Sequence, residues 1–145
     1  MIGIIIVTHG ELARAFVRAT EMILGTQDQL RAIEMRADED VDVTKTRLAE
    51  AVKEADQGDG VVILTDMFGG TPSNLALTFH AEAKVEVLMG VNLPMLLKLV
   101  SSRAGTEGEA EKEKLSLAQL VSMIAEYGRK NIQVATDILR KKPSA

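Results

Sequence analysis

Gly3-Ile4-Ile5-Ile6-Val7-Thr8-His9-Gly10 decides the fold. The run is short, continuously apolar rather than alternating, and closed by a polar triplet. A strand buried on both faces reads this way, and such strands belong to parallel sheets covered by helices. His9 then stands where the strand stops, at the carboxyl edge where open α/β sheets gather ligands and chemistry. A second run, Val61-Val62-Ile63-Leu64-Thr65, has the same character and ends in Asp66-Met67-Phe68-Gly69-Gly70-Thr71-Pro72. If the two strands are neighbours, one His and one Asp meet at the same edge.

Outward from the first run, residues 11–24 place Leu12, Ala13, Phe16, Val17, Ile23 and Leu24 at helical spacing. Glu11, Arg14, Arg18 and Glu21 fall largely opposite, Thr20 interrupts the stripe, and Gly25 is the expected stop. Leu30 to Met35 alternates weakly and reads as a second strand. The acidic Asp38-Glu39-Asp40 precedes a second helix, whose dipole favours negative charge at its start. Its expected inner stripe is Val41, Thr44, Leu48, Val52 and Ala55, and Gly58 and Gly60 end it. After the Val61 strand, Thr71 as a cap and Pro72 at the first helical position open a third helix, with Leu75, Ala76 and Phe79 inward. Val85 to Met89 is a fourth strand. Asn92-Leu93-Pro94 opens a fourth helix with Leu93, Leu96, Leu97 and Val100 on one face.

Residues 101–114 are polar and charged and read as a flexible excursion. Ser116 and Gln119 form a capping box for a fifth helix, with Leu117, Leu120, Val121 and Ile124 inside and Gly128 as its stop. In the tail, Ile132, Val134, Thr136 and Ile138 alternate with Gln133, Ala135 and Asp137. That is a strand signal, with a helix through Ala135 and Leu139 as the alternative. The order βαβαβαβα argues a parallel sheet covered on both faces. A last strand with no crossover would be an edge strand or one donated to a partner.

Composition narrows the function. At 145 residues, one domain over 1–145 is the expectation. A net charge of −4 with no basic cluster gives no reason to expect nucleic acid. With no cysteine, disulfides and thiolate chemistry are excluded. Aromatic residues are only 3%, which argues against a stacking platform. The N-terminal apolar run is too short to span a membrane and has no basic leader, so a cytoplasmic protein is expected.

A histidine at a strand end beside Asp66 has a defined chemistry. The carboxylate accepts a hydrogen bond from one ring nitrogen and leaves the other with a free lone pair, oriented as general base or nucleophile. No Gly-x-Ser-x-Gly elbow supplies a hydroxyl to activate, and Ser73 lies inside a helix start. Nucleophilic use needs a place for transferred charge. Gly70, Thr71 and Ser73 open a helix whose first amides have no internal acceptor, an anion-sized cradle to which the Thr71 hydroxyl adds a donor. The sum suits phosphoryl transfer onto the imidazole. Read blandly, Asp66 caps a turn and Thr71 caps a helix. Thr8, Phe68, Gly69, Asn92 and Arg14 are candidates for the site wall or for partner docking, although Asn92 is most simply a helix start and Arg14, with Arg18, surface charge. His80, near the end of the third helix, is read as a surface or capping residue. No metal site is expected, because that helix carries His80 away from His9.

Three motifs together carry a resemblance: Thr8-His9-Gly10, Asp66-Met67-Phe68-Gly69-Gly70-Thr71-Pro72-Ser73-Asn74, and Gly90-Val91-Asn92-Leu93-Pro94-Met95. In this order they resemble the mannose/fructose-type enzyme IIA of the bacterial phosphoenolpyruvate-dependent sugar phosphotransferase system, over roughly the whole chain. The resemblance implies that His9 takes phosphate from the carrier protein HPr and passes it to a IIB subunit. It implies Asp66 as the orienting carboxylate, Thr71 as a phosphoryl contact, no cofactor, and contact with the membrane only through a IIC/IID permease. It also implies a homodimer exchanging an antiparallel C-terminal strand. Some relatives carry a hydroxyl residue after the aspartate, where this chain has Met67. The expected fold is α/β, three-layer and flavodoxin-like, with a mostly parallel sheet in the order 2-1-3-4. A regulatory phosphoprotein of the same family and a dihydroxyacetone kinase-type phosphotransfer subunit are the alternatives. A nucleotide-binding module would lack both the Gly-x-Gly-x-x-Gly fingerprint and a Walker lysine.

Overall fold

β1 (Gly3–His9) is the centre of the molecule in the computed structural model, which describes residues 1–81, 83–103 and 115–140. The excursion expected over 101–114 lies mostly outside those residues; Ser101 and Ser102 belong to a helix. In chain order there follow α1 (Leu12–Leu24), β2 (Leu30–Met35), α2 (Val41–Ala55), β3 (Val61–Thr65) and α3 (Thr71–Leu77). Then come β4 (Val85–Met89), α4 (Leu93–Ser102), α5 (Leu117–Lys130) and α6 (Ala135–Arg140). The four strands form one parallel sheet in the order β2-β1-β3-β4.

The unbroken Ile/Val run of β1 is explained by the two layers it feeds. Ile4 and Ile6 join Val62 and Leu64 beneath α1, α4 and α5, whereas Ile5 and Val7 join Val61 and Ile63 beneath α2 and α3. Successive side chains point to opposite faces, and neither face meets water, so every position is apolar. The capping box of α5 is present, and Leu117, Leu120, Val121 and Ile124 are its buried face.

Several local expectations are corrected. Thr71 is not the cap of α3: Gly70 holds that position in extended backbone, and Thr71 is the first helical residue. In α4 the buried face is Met95, Leu96, Leu99 and Val100 rather than Leu93 and Leu97, because the helix is rotated toward α5. Val41 of α2 is exposed; Thr20 of α1, small enough to be tolerated within the apolar stripe, is fully buried there and donates to the Phe16 carbonyl at 2.8 Å. Gly128 does not stop α5. It lies inside the helix, where a Cβ would stand 2.6 Å from Met95 Cε, so its missing side chain lets α5 approach α4. The tail adopts the helical alternative. Residues 135–140 form α6 with every residue exposed, since a strand without a neighbour leaves its peptide groups unpaired and a helical turn bonds its own.

Candidate active site

Register brings the two strand ends together. Val7 of β1 pairs with Thr65 of β3, so His9 lies two residues beyond that pair and Asp66 one. The chain leaves β1 toward β2 and leaves β3 toward β4, so the β1/β3 crevice is the topological switch point, where α/β sheets bind ligands. On the other side His9 pairs with Met35 of β2, and the Gly10 N–H donates to the Met35 carbonyl at 2.9 Å. The histidine is thus fixed to both neighbouring strands.

Asp66 holds His9 at two points through one oxygen. Its Oδ2 accepts from the His9 backbone N–H at 3.0 Å and lies 2.7 Å from the ring Nδ1. Its other oxygen accepts from the Met67 N–H at 3.0 Å. A carboxylate only accepts, so Nδ1 carries the proton and Nε2 presents a lone pair. Burial is the largest single influence on the Asp66 carboxyl and opposes its ionisation. The hydrogen bonds from the His9 amide and ring, with the ring's Coulomb attraction, outweigh it and hold the carboxyl below its ordinary range. The side chains of His9 and Asp66 are 50% and 12% exposed, which suits a reacting group and its support respectively.

Gly70 seats the ring. A Cβ there would lie 2.9 Å from His9 Cε1 and 3.5 Å from Nε2, so only glycine lets the imidazole lie against this loop. Gly69 serves a different need, a left-handed φ of 78° with open space around it. Ser73 is fully buried and braces the loop from below: its hydroxyl donates to the Met67 carbonyl and meets Thr65 Oγ1 at 2.8 Å. Its one proton is committed to Met67, so Thr65 donates to it. The Ser73 side chain is therefore closed to a ligand, and its backbone amide is what the start of α3 offers.

A cleft of about 400 Å³ opens beside His9, lined by Gly10, Met35, Arg36, Ala37, Glu39, Val41 and Thr71. The loop between β2 and α2 forms one wall, which sequence reading did not assign. The expected strand order held the signal, because a strand beside β1 must bring its carboxyl end to the same edge. The remaining candidates are placed as follows. Thr8 is buried and accepts from the Ala13 N–H at 2.7 Å, so it satisfies an amide in the first turn of α1 and does not line this cleft. Asn92 caps α4 through Met95 and donates from Nδ2 to the Gly128 carbonyl at 3.1 Å, clamping α4 to α5. Arg14 pairs with Glu34 at 2.6 Å outside the cleft. Phe68 is 82% exposed on the loop after Asp66, and Leu12 and Met67 are also exposed. His80 follows α3 and donates from Nδ1 to the Val85 carbonyl at 2.9 Å. No cluster of three metal-ligating side chains occurs among the described residues.

This geometry is accompanied by a family match. Residues 3–116 match the profile of the family described as "PTS system fructose IIA component". The chain belongs to that family. This IIA component is 32% identical to the fructose-specific EIIA component of Bacillus subtilis, over the whole of this chain and 94% of that one. It is 29% identical to the mannose-specific EIIAB component of Escherichia coli over 98% of its own length, but spans only 41% of that longer protein. Among solved structures it resembles a phosphotransferase system component EIIA from Streptococcus agalactiae, with TM-score 0.80, 28% identity, and 94% and 99% of the two chains covered. It also resembles the IIA protein associated with a fucose utilisation operon of Streptococcus pneumoniae, with TM-score 0.74 and 25% identity. This IIA component is thus a phosphotransferase of a sugar phosphotransferase system, acting as a phosphocarrier, in a family that works with HPr and IIB partners in general. No described helix is long and apolar enough to cross a membrane.

Proposed function

We propose that His9 is the phosphorylated residue, taking its phosphoryl group from phospho-HPr and passing it to a IIB subunit. The observation that carries this reading is the 2.7 Å contact of His9 Nδ1 with Asp66 Oδ2, which leaves Nε2 as the nucleophile at the mouth of the cleft. The Nε2 lone pair attacks phosphorus as the bond to the donor nitrogen breaks, and the donor nitrogen keeps that electron pair. The product ring carries phosphorus on Nε2 and the proton on Nδ1, a cation that the Asp66 carboxylate stabilises. The Thr71 hydroxyl and the amides of Gly70, Thr71 and Ser73 are the proposed phosphoryl contacts, with Phe68, Gly69 and Asn92 toward the partner face.

The same reading makes residues 1–145 one cytoplasmic phosphocarrier domain that meets the membrane only through a IIC/IID permease. It further takes the chain as a homodimer. The exposure of Ile132, Val134, Ile138 and Leu139 in the tail supports a second copy there. The test is intact-mass measurement after incubation with phosphoenolpyruvate, enzyme I and HPr. One acid-labile phosphate is expected on the wild type and none on His9→Ala. A folded wild type that takes up no phosphate refutes the proposal.

A further inference from the structure

Arg36, Asp38 and Glu39 of the β2–α2 loop, with Arg14 of α1, Glu34 of β2 and Arg47 of α2, surround one charged hollow. Their pairing is unequal. Arg14 is held by Glu34 at 2.6 Å, and Arg47 by Glu39 at 3.0 Å and by the Glu34 carbonyl at 3.3 Å. Glu39 also accepts from the backbone N–H of Arg36 at 3.5 Å, which fixes the loop but leaves the guanidinium of Arg36 with no bond among the described residues. Among the described residues, Arg36 is the one cation that lines both this hollow and the His9 cleft.

The cleft needs such a charge. A phosphoryl group on His9 Nε2 brings a charge of about −1.5 to −2, by analogy with other phosphorylated side chains, into a space that Glu39 already lines. Arg47 neutralises Glu39, but nothing already bound in place neutralises the phosphoryl oxygens. A guanidinium presents a planar fork matched to two phosphoryl oxygens, and one that is exposed and unpaired breaks no existing bond in turning toward them. We infer that Arg36 is a phosphoryl-binding residue, its guanidinium closing on the phosphoryl group of His9 from the β2–α2 side of the cleft, opposite Thr71. This inference rests on the proposed phosphorylation of His9 and adds a contact from an element outside the three motifs.

The experiment compares wild type, Arg36→Gln, Arg36→Lys and Arg18→Gln after phosphorylation with phosphoenolpyruvate, enzyme I and HPr. Arg18, exposed on α1, serves as a control for the same loss of net charge. Phosphorus NMR across a pH titration reads the ionisation of the phosphoryl group, and the equilibrium with phospho-HPr reads its stability on this chain. Arg36→Gln is expected to raise the titration midpoint and to lower the phosphorylated fraction constant about three- to tenfold, as befits a charge-assisted contact near the surface. Arg36→Lys should recover part of the shift, and Arg18→Gln should match the wild type. Equal midpoints in wild type and Arg36→Gln would overturn the role of Arg36 while leaving phosphorylation of His9 intact. A shift of the same size in Arg18→Gln overturns it too, as an effect of net charge. A wild type that takes up no phosphate fails at the earlier step and removes both.

Discussion

Replacing Gly70 by Ala tests whether the imidazole depends on the loop beneath it. The added methyl would stand 2.9 Å from His9 Cε1. An unstrained carbon–carbon contact needs about 3.5 Å, so ring and methyl must part by about 0.6 Å. Gly70 has a φ of −82°, which alanine adopts freely, so the backbone itself is not strained. The ring is the softer partner, because it is half exposed and held chiefly by Asp66, whereas the loop is braced by the buried Ser73 hydroxyl. Displacing the ring lengthens the Nδ1–Oδ2 bond of 2.7 Å. A hydrogen bond to a charged group contributes about 1.5–3 kcal/mol. At about 1.36 kcal/mol per decade, phosphotransfer onto His9 should slow roughly 10- to 150-fold. Folding stability should change by less than about 1 kcal/mol, since the ring contacts water on one side. The assay is the rate of phosphoryl transfer from phospho-HPr, paired with NMR of the imidazole nitrogens to read which one carries the proton. Gly69→Ala is the contrast: it meets no neighbour but must hold a φ of 78°, so it should cost about 1–2 kcal/mol of stability with the tautomer unchanged. A Gly70→Ala protein with wild-type tautomer and a rate within about twofold of wild type would refute the seating of the ring.

Two further outcomes follow from the bonding around and opposite the site. Asp66 has its carboxyl held below the ordinary range, so its contribution to stability is present above the unfolded carboxylate pKa and is lost as pH falls through the lower folded value. Asp66→Asn should therefore show a smaller drop in urea midpoint than wild type between about pH 6 and about pH 3, and should slow transfer by about 100-fold or more at neutral pH; equal acid sensitivity of the two proteins would contradict the pairing. Arg103, buried at the far edge of the sheet, donates to the carbonyls of Ile2 at 3.3 Å and Gln29 at 3.2 Å, to Gln27 Oε1 at 3.4 Å, and to the Asp28 carbonyl. Arg103→Met removes the donor to these acceptors, of which, among the described residues, only the Gln29 carbonyl keeps another partner in the Ile4 N–H, and should cost about 2–4 kcal/mol in urea unfolding, with the transfer rate of the folded protein unchanged.

The mannose/fructose-type IIA fold was legible where one residue type repeated for one reason. Continuous Ile and Val in β1 and β3 announced strands covered on both faces, and the Ser116–Gln119 box announced the start of α5, because each signal is local and needs no knowledge of distant packing. The pairing of His9 with Asp66 was also within reach, since both residues end such strands and strand order fixes the edge they share. Positions whose meaning lies in a neighbour were not legible. Gly128 has the composition of a helix stop but is a close approach of α5 to Met95 of α4. The tail alternates like a strand, yet period alone cannot supply the partner whose peptide groups a strand requires, and within one chain it forms α6.

By itself, then, the sequence determined the strands of a parallel sheet and the identities of the two residues at its switch point, while the strand order came with the family resemblance. Hydrophobic periodicity and strand ends are properties of consecutive residues. Tertiary structure alone decided that Gly70 seats the ring, that Ser73 supports the loop from within rather than facing a ligand, and that the β2–α2 loop brings an unpaired Arg36 to the cleft. The first and the last depend on distances between segments far apart in the chain, set only when the two helical layers close over the sheet; the Ser73 contacts are local but depend on how the loop after β3 turns over the start of α3.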